Sequence, residues 1–185
     1  MVVKFTEIQS KFERKKINDL YYKSVPPHEK SFVLFFWWKR KRANVSFVNI
    51  YDEDKWVGFL FFSFNADLVY VWFFAIDDTI FFEDYASAMF SEIKRLYPNH
   101  RIALSIEAEN ENADNAEKSI KGKLFYKQNG FHETGYFVKR KEDSFEIMLS
   151  GETFHIDELY SINKEIGWLI GRLIVRSLKK EIQRK

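Results

Sequence analysis

Two long apolar segments near the middle of the chain place the tightest limits on its fold. Residues 56–64 read WVGFLFFSF and residues 68–76 read LVYVWFFAI, with the short polar turn Asn65-Ala66-Asp67 between them. Residues 44–51 alternate in polarity, and the polar residues 52–55 follow them. Short turns between such segments predict an antiparallel meander of three strands. Because the last two are apolar on both faces, we expect them at the centre of a sheet covered by helices.

Helical periodicity occurs on both sides of this meander. Helices are predicted over residues 7–24 and 30–41, and a third over 84–97, where apolar residues recur at helical spacing. Residues 101–107 alternate again and are predicted to form a strand. The strand, helix and strand from residue 68 to residue 107 form a βαβ unit, which favours parallel pairing of its two strands.

The C-terminal part is predicted to hold a helix, a hairpin and a last helix. Asp114 and Glu117 have capping-box spacing, so a helix begins there, and Gly130 suits the left-handed position after its last turn. Its main apolar stripe is predicted to run through Ala116, Ile120 and Leu124. A hairpin over 131–139 and 144–149 and a helix from about residue 156, with Leu159 and Ile162 on its apolar side, complete the prediction.

Length and composition limit the kinds of protein that this chain can be. The 185 residues suit one α/β domain over 1–150 with a helical extension over 151–185, and the extension is a possible homodimer contact. A net charge of +2 does not indicate a general nucleic-acid coat. No cysteine is present and none of the four histidines is paired at ligand spacing, so no metal site is expected. Without an apolar leader or a run of roughly 20 apolar residues, we expect a cytoplasmic protein.

The order of the elements, together with two short motifs, resembles the GNAT superfamily of N-acetyltransferases, especially its small bacterial members. The motifs are FAIDD at 74–78 and FYKQNGFHETGY at 125–136. The resemblance covers about residues 7–149. It implies a mixed sheet with an antiparallel N-terminal meander, a central βαβ unit and a C-terminal hairpin, to which this chain adds a C-terminal helix. It also implies acetyl-CoA as co-substrate and an amine as acceptor.

The resemblance implies positions for the cofactor. Backbone groups of the first of two splayed strands bind the pantetheine arm, and here those residues are Phe74, Ala75 and Ile76. The start of the following helix holds the pyrophosphate, because its N–H groups and dipole favour anions. By position the residues there are Tyr85, Ala86 and Ser87, whereas Asn115 or Ser119 is expected to contact the pantetheine amides.

The resemblance also implies a general acid and calls for a base. Tyr126, in the FYKQNGF stretch, takes the position of the tyrosine that returns a proton to the departing thiolate. The alternative is an ordinary core tyrosine with a hydrogen-bonded hydroxyl. Glu107, at the end of its strand, is the candidate base by placement, and the alternative is a solvated loop carboxylate.

The phosphate loop departs from the family pattern. The family has Arg or Gln, two further residues, Gly, one residue, and then Gly or Ala, whereas this chain has FFEDYAS at 81–87. Phe81 replaces the first residue and Asp84 the first Gly, while Ala86 fits. Glu83 and Asp84 place negative charge beside the expected anion, so they oppose CoA binding. They also suit an ordinary capped helix start, since first-turn acids complement the helix dipole.

Three functions follow from these features. The first is an N-acetyltransferase that moves an acetyl group from acetyl-CoA to a primary amine of a small molecule or peptide by direct attack. The second is a catalytically inactive GNAT-fold binding or assembly module with weak or no CoA binding. The third is a membrane-surface or RNA contact through residues 32–42, where aromatic residues precede four cations.

Overall fold

The computed structural model describes residues 1–25, 32–108, 116–140, 143–166 and 182–184. These residues form a mixed α/β fold with one eight-stranded sheet in the order β1-β2-β3-β4-β5-β7-β6-β8. In chain order the elements are β1 (Lys4–Glu7), α1 (Lys11–Ser24), α2 (Phe32–Lys39), β2 (Val45–Asp52), β3 (Lys55–Phe64), β4 (Leu68–Ile76), α3 (Phe82–Leu96), β5 (Arg101–Glu107), α4 (Ala116–Gln128), β6 (His132–Arg140), β7 (Asp143–Ser150), α5 (Ile156–Ile166) and β8 (Ile182–Arg184).

The chain divides into two compact units, one of residues 1–63 with 71–98 and the other of residues 64–70 with 99–185. The first unit has an aromatic core between its helices and strands. Phe36 of α2 stacks on Phe61 of β3 at 4.3 Å between ring centroids. Tyr21 of α1 lies 5.0 Å from Phe73 of β4. Large, stiff rings of this kind dominate core energetics and fix how the helices lie on the strands.

Strand β4 departs from regular alternation shortly before its end. The Trp72 indole N–H donates to the Ser63 hydroxyl at 2.8 Å, and the Phe73 ring stacks on Phe59 at 5.7 Å. Ser63 and Phe59 are four residues apart in β3, so they lie on the same face of that strand. Consecutive residues of β4 therefore turn toward one face. The next residue, Phe74, lies on the other face, where its ring contacts Phe82 and Phe90 of α3.

Gly58 of β3 permits a close approach of the two central strands. A Cβ atom at this position would lie 2.1 Å from the Ala75 carbonyl oxygen. Next to it, the Asp77 N–H donates to the Val57 carbonyl at 2.8 Å. A glycine inside a strand often marks such a close approach. Gly58 therefore sets the position of the β4 backbone at Ala75, which belongs to the segment predicted to bind the pantetheine arm.

In the second unit, the first residues of β4 and β5 run parallel, as predicted. The Arg101 N–H donates to the Asp67 carbonyl at 2.8 Å, and the Tyr70 and Ser105 hydroxyl oxygens lie 2.6 Å apart. The sequence separations are 34 and 35 residues, nearly constant, which is the signature of strands that run in the same direction.

The predicted C-terminal hairpin is present as β6 and β7, with β7 next to β5. Both pairings of β7 are antiparallel, with Ile106 opposite Glu146 and Phe137 opposite Glu146 on the other side. The β6–β7 register shifts between Glu133 and Phe137, where Gly135 has a φ of 74°. The register shift puts a β-bulge within the TGY part of the motif.

Helix α5 begins where the sequence predicts. Leu159 and Ile162 are buried, and the Arg101 guanidinium binds the Glu158 carboxylate of this helix. The Glu158 carboxylate also accepts the His155 N–H at 2.8 Å. Residues 167–181 of the predicted last helix lie outside the described residues. Residues Ile182–Arg184 form a strand against β6 instead of continuing a helix. The domain boundary at residue 150 stays a prediction.

Two details of the predicted helices are wrong. The first helix begins at Lys11 and not at residue 7, because Ser10 caps it and Glu13 completes a capping box, while Lys4–Glu7 pairs with β2. The predicted apolar stripe of α4 fails as well. Ile120 and Leu124 are exposed, whereas Phe125 is buried. Helix α4 is rotated so that its Phe125 side faces the strands.

Candidate functional site

Helix α4 ends in a complete C-terminal cap that contains Tyr126. The Phe131 N–H donates to the Tyr126 carbonyl at 3.1 Å, and the Gly130 N–H donates to the Lys127 carbonyl at 3.0 Å. Gly130 has a φ of 82°, as predicted for the left-handed position. The Tyr126 and Phe131 rings lie 6.1 Å apart, which is the apolar contact that accompanies this motif. The QNG turn therefore fixes the backbone at Tyr126 from the C-terminal side.

The hydroxyl end of Tyr126 lies deep in the protein. The side chain as a whole keeps intermediate exposure, but burial raises the pKa of its phenol to about 12. The Phe125 and Phe131 rings meet it edge-on. A buried phenol with a raised pKa holds its proton at neutral pH. It can therefore donate a hydrogen bond to an anion such as a departing thiolate, although burial makes it a weaker acid than an ordinary phenol.

Ion pairs hold the same stretch of α4 against the hairpin. The Lys123 ammonium group lies 2.8 Å from the Glu146 carboxylate of β7 and 3.4 Å from that of Glu133 on β6. Lys127 binds Glu133 at 2.7 Å. Together, these bonds fix the rotation of the helix that turns Phe125 and Tyr126 inward. The sequence contains one signal of this network, since Lys123 and Lys127 are four residues apart and therefore lie on one helical face.

The hydrogen bond from Lys127 is the main cause of a lowered pKa at Glu133. It lowers the pKa of that carboxyl to about 2, with further contributions from Lys123 and a backbone N–H, while desolvation opposes the shift. Glu146 is buried, and its partner Lys123 is largely buried too. Buried carboxylates need such a partner, because an unpaired buried charge is strongly destabilising.

Glu107 lies on the opposite face of β5 from α4. The register pairs Ile106 with Glu146, whose carboxylate binds α4, so the even residues of β5 face that helix. Arg101 has the other parity and binds α5. Glu107 shares the parity of Arg101 and is exposed at the end of its strand. The two candidate groups, Glu107 and Tyr126, are therefore on opposite sides of β5.

The two candidate pantetheine contacts lie near the start of α4. Ser119 is in the first turns of the helix with intermediate exposure. Asn115 precedes the helix and lies outside the described residues, as do Asp114 and its predicted capping box. Both roles stay predictions.

The end of β4 holds the other predicted cofactor residues, in the first unit. Phe74 has intermediate exposure, and its ring stacks on Phe82 at 5.9 Å and meets Phe90 edge-on at 5.7 Å. Ala75 and Ile76 are buried. Because these side chains are occupied by packing, the backbone is the part of the segment that is suited to binding an extended ligand.

Helix α3 begins two residues earlier than predicted and has no side-chain cap. The residue at the N-cap position is Phe81, which is extended, 67% exposed and makes no capping hydrogen bond. Glu83 and Asp84 lie in the first turn, as predicted, and both are exposed. Within the described residues neither carboxylate makes a side-chain hydrogen bond. The predicted capping hydrogen bonds are therefore not formed there, but both acids lie in the first turn, where their charge complements the helix dipole.

The other predicted phosphate-loop residues point mainly into the protein. Ala86 is fully buried, and the Ser91 hydroxyl donates a hydrogen bond to the Ser87 carbonyl. The Tyr85 hydroxyl donates to the Asp52 carboxylate at 2.9 Å, and this bond raises the pKa of the phenol. The backbone groups of these residues and the partly exposed Ser87 hydroxyl are suited to bind an anion, as at other helix N-termini.

Two lysines accompany the acids at this end of the first unit. Lys23 lies 3.8 Å from Asp78, and Lys55 lies 5.9 Å from the centre of the Tyr85 ring. The pKa of Asp77 is lowered, chiefly by hydrogen bonds from Thr79 and to a smaller extent by both lysines. The region thus has a mixed charge, with acids in excess of cations.

Two classes of site have no support in the described part of the chain. No group of three or more His, Asp or Glu side chains there is placed to hold a metal ion. None of the described helices is long and apolar enough to cross a bilayer.

Solved structures of GNAT acetyltransferases have this fold. A GNAT-family acetyltransferase from Bacteroides thetaiotaomicron, described as putative, aligns with a TM-score of 0.63 at 19% identity, over 90% of this chain and 97% of that one. The aminoglycoside 6'-N-acetyltransferase of Enterococcus faecium aligns with a TM-score of 0.60 at 11% identity, over 81% and 96%. An aminoglycoside 6'-N-acetyltransferase complexed with coenzyme A aligns with a TM-score of 0.57 at 11% identity, over 80% and 96%.

Comparisons of sequence alone give no such match. Neither a protein family model nor a curated protein sequence matches the chain significantly. At identities below a fifth, the structural likeness establishes the fold and leaves the activity to be argued from the residues.

Proposed function

We propose that this protein is an N-acetyltransferase that moves an acetyl group from acetyl-CoA to a primary amine. The observation that carries the proposal is the placement of the Tyr126 phenol, buried at the end of a helix with a complete C-terminal cap. The GNAT fold supports the proposal, since aminoglycoside acetyltransferases share it. The acceptor is an amine of a small molecule or a peptide.

The proposed reaction is a direct attack. The neutral amine adds to the thioester carbonyl, the carbon–sulfur bond breaks, and the acetyl group stays on nitrogen. Tyr126 donates its proton to the departing sulfur, which leaves as the free thiol. The amine must lose one proton in the same reaction. Glu107 takes that proton, directly or through water, from the exposed end of β5, and the tyrosinate is reprotonated from solvent.

The proposal assigns the cofactor to backbone groups more than to side chains. The end of β4, from Phe74 to Ile76, would bind the pantetheine arm, and the first turn of α3, including Tyr85 to Ser87, would bind the pyrophosphate. Ser119 and Asn115 are the proposed side-chain contacts of the arm. Glu83 and Asp84 oppose the pyrophosphate, so the proposal requires weak cofactor binding.

A second function is favoured by the same acidic turn. Glu83 and Asp84 are exposed in the first turn of α3, and the N-cap residue Phe81 makes no side-chain hydrogen bond to the helix. Such a helix start repels phosphate, and the chain would then be an inactive binding or assembly module with the GNAT fold. The proposed cytoplasmic location and a homodimer through the C-terminal helix are compatible with both functions.

Thermal unfolding with and without acetyl-CoA separates the two functions. A ligand that binds only the folded state stabilises it by about 2.7 kcal/mol at a hundred times its dissociation constant. A saturable rise in melting temperature, equal in the wild type and in Tyr126→Phe, is expected for the enzyme, together with thiol release that only the wild type performs with a suitable amine. No rise at millimolar acetyl-CoA in either protein would overturn the enzyme and favour the inactive module.

A further inference from the structure

Helix α2 is apolar on its outer side as well as on the side that faces the sheet. Val33 and Phe36 are buried, whereas Leu34 and Trp38 are 68% and 62% exposed. Leu34 and Trp38 are four residues apart and therefore lie on one face of the helix. A surface helix normally carries polar residues on that face. An exposed face of this kind, rimmed by charged residues, indicates an interaction surface.

The C-terminal end of α2 carries an uninterrupted run of four basic residues. Lys39, Arg40, Lys41 and Arg42 follow one another without interruption. The Arg40 guanidinium lies 5.6 Å from the centre of the Trp37 ring. Within the described residues none of the four forms an ion pair with a carboxylate. A cluster of unpaired cations attracts an anionic surface.

Lys39 has the least usual surroundings of the four. Its side chain is 2% exposed, and its ammonium group lies 3.6 Å from the centre of the exposed Trp38 ring and 5.8 Å from that of Phe35. Desolvation, and then the charge of Arg42, lower its pKa. In the described part of the chain its contacts are aromatic rings and no hydrogen-bond acceptor. Lys39 is therefore buried against the Trp38 ring, and the more exposed cations from Arg40 to Arg42 are the ones that can reach an anion.

We propose that the outer face of α2 docks the protein on an anionic lipid bilayer. Leu34 and Trp38 enter the interface, where tryptophan is enriched in membrane proteins. The cations from Arg40 to Arg42 meet lipid phosphates, whereas Lys39 is buried against the Trp38 ring. The aliphatic Leu34 decides between a bilayer and a nucleic acid, since it gains from leaving water in lipid but offers no ring for a base to stack on. This surface is independent of the proposed acetyl transfer.

Vesicle sedimentation tests the proposal with two pairs of matched variants. The vesicles are phosphatidylcholine alone or phosphatidylcholine with about a third phosphatidylglycerol. Lys41→Gln with Arg42→Gln is compared with Lys4→Gln with Lys11→Gln, which removes two charges from exposed residues of β1 and α1. Leu34→Ser with Trp38→Ala is compared with Ile120→Ser with Leu124→Ser, which changes the other exposed apolar pair at helical spacing.

We expect the wild type to sediment with the anionic vesicles and not with the neutral ones. Neutralising Lys41 and Arg42 should weaken partitioning by about twenty- to thirtyfold, because each cation near an anionic surface contributes a factor of about five. Leu34→Ser with Trp38→Ala should weaken partitioning as well, and both control double variants should bind the vesicles like the wild type. Thermal unfolding confirms that all variants are folded.

Three results would overturn the proposal. The first is that the wild type fails to sediment with either kind of vesicle. The second is that the control pairs lose binding as much as the α2 pairs, which would reduce the effect to net charge. The third is binding to a single-stranded RNA oligonucleotide, lost in the α2 variants, without binding to vesicles, which would assign the surface to nucleic acid.

Discussion

The two helix ends that matter to the proposed reaction are built in opposite ways. The C-terminal end of α4 has every feature of a finished cap, with Gly130 in the left-handed conformation and Tyr126 held by backbone and ring contacts. The N-terminal end of α3 has Phe81 where a capping residue belongs and two exposed carboxylates in its first turn. The end proposed to handle a proton is therefore well organised, whereas the end proposed to bind phosphate opposes an anion.

This difference indicates which property each end serves. A general acid needs a fixed position and a proton to donate, and the capped helix end with its ring contacts fixes the position of the protonated Tyr126 phenol. A phosphate site needs backbone N–H groups and a favourable charge, and the exposed carboxylates in the first turn of α3 oppose the second requirement. An enzyme of this design would bind its cofactor weakly and turn it over through Tyr126.

Removal of the Tyr126 hydroxyl should have the largest effect. Tyr126→Phe keeps the packing with Phe125 and Phe131 but loses the proton donor, so kcat should fall by about a hundredfold to ten-thousandfold. The binding of acetyl-CoA should not change. Steady-state kinetics of thiol release, with Tyr22→Phe as the control, measures the effect. An unchanged kcat in Tyr126→Phe would remove the general acid from the account.

Removal of the two charges at α3 should strengthen cofactor binding. In Glu83→Gln with Asp84→Gly, the dissociation constant of acetyl-CoA should fall by about five- to tenfold for each carboxylate, because a like-charge pair at ~4 Å costs roughly 1 kcal/mol even in water. Calorimetric titration measures it. Glu7→Gln with Glu152→Gln, which removes two exposed acids elsewhere, should leave binding unchanged. If both double variants bind equally, this helix end is not the phosphate site.

Acid should weaken the ion pairs that hold α4. The Lys127 hydrogen bond lowers the pKa of Glu133 to about 2, so the carboxylate stabilises the fold above its unfolded pKa near 4.5, and this contribution disappears as the pH falls from there toward 2. After allowance for solvent screening of a carboxylate 32% exposed, it amounts to about 1–2 kcal/mol at neutral pH. Denaturant unfolding of the wild type and of Glu133→Gln should differ by that amount at about pH 7 and converge near pH 2. A constant difference across this range would contradict the assignment.

A cap introduced at α3 should have the smallest effect, and a stabilising one. Phe81 is exposed and its backbone is extended, as an N-cap residue requires. Phe81→Asn should therefore raise the free energy of unfolding by about 0.5–1 kcal/mol, because its side chain can accept an N–H of the first turn. Denaturant titration measures the change. Destabilisation would show that the Phe81 ring has a packing role that its exposure does not reveal.

Local signals in the sequence were sufficient for the strands and for the end of α4. Strand β4 and strand β5 have the predicted bounds, since short polar turns and alternation are properties of neighbouring residues. Gly130 was placed correctly because only glycine adopts the left-handed conformation without strain. The capping box of Ser10 and Glu13 is an equally local signal, and it marks the observed start of α1.

Long-range contacts decided what the sequence could not reveal. Helix α4 exposes Ile120 and Leu124 because Lys123 is drawn inward by Glu146, a residue of another element, and no helical wheel includes that partner. The place of β7 between β5 and β6 is likewise a matter of pairing between distant segments. At the candidate site, residue types and chain positions were predictable, but the burial that raises the pKa of Tyr126 and the missing cap at Phe81 required the three-dimensional structure.

The central claim is that a chain with an acidic α3 start still uses acetyl-CoA through Tyr126. The most direct measurement is thiol release from acetyl-CoA with a panel of primary amines, in the wild type, in Tyr126→Phe and in Glu83→Gln with Asp84→Gly. The account predicts release by the wild type at high cofactor concentration, a lower KM for acetyl-CoA in the α3 variant, and almost no release by Tyr126→Phe. Absence of binding and release in both the wild type and the α3 variant at millimolar acetyl-CoA would contradict it.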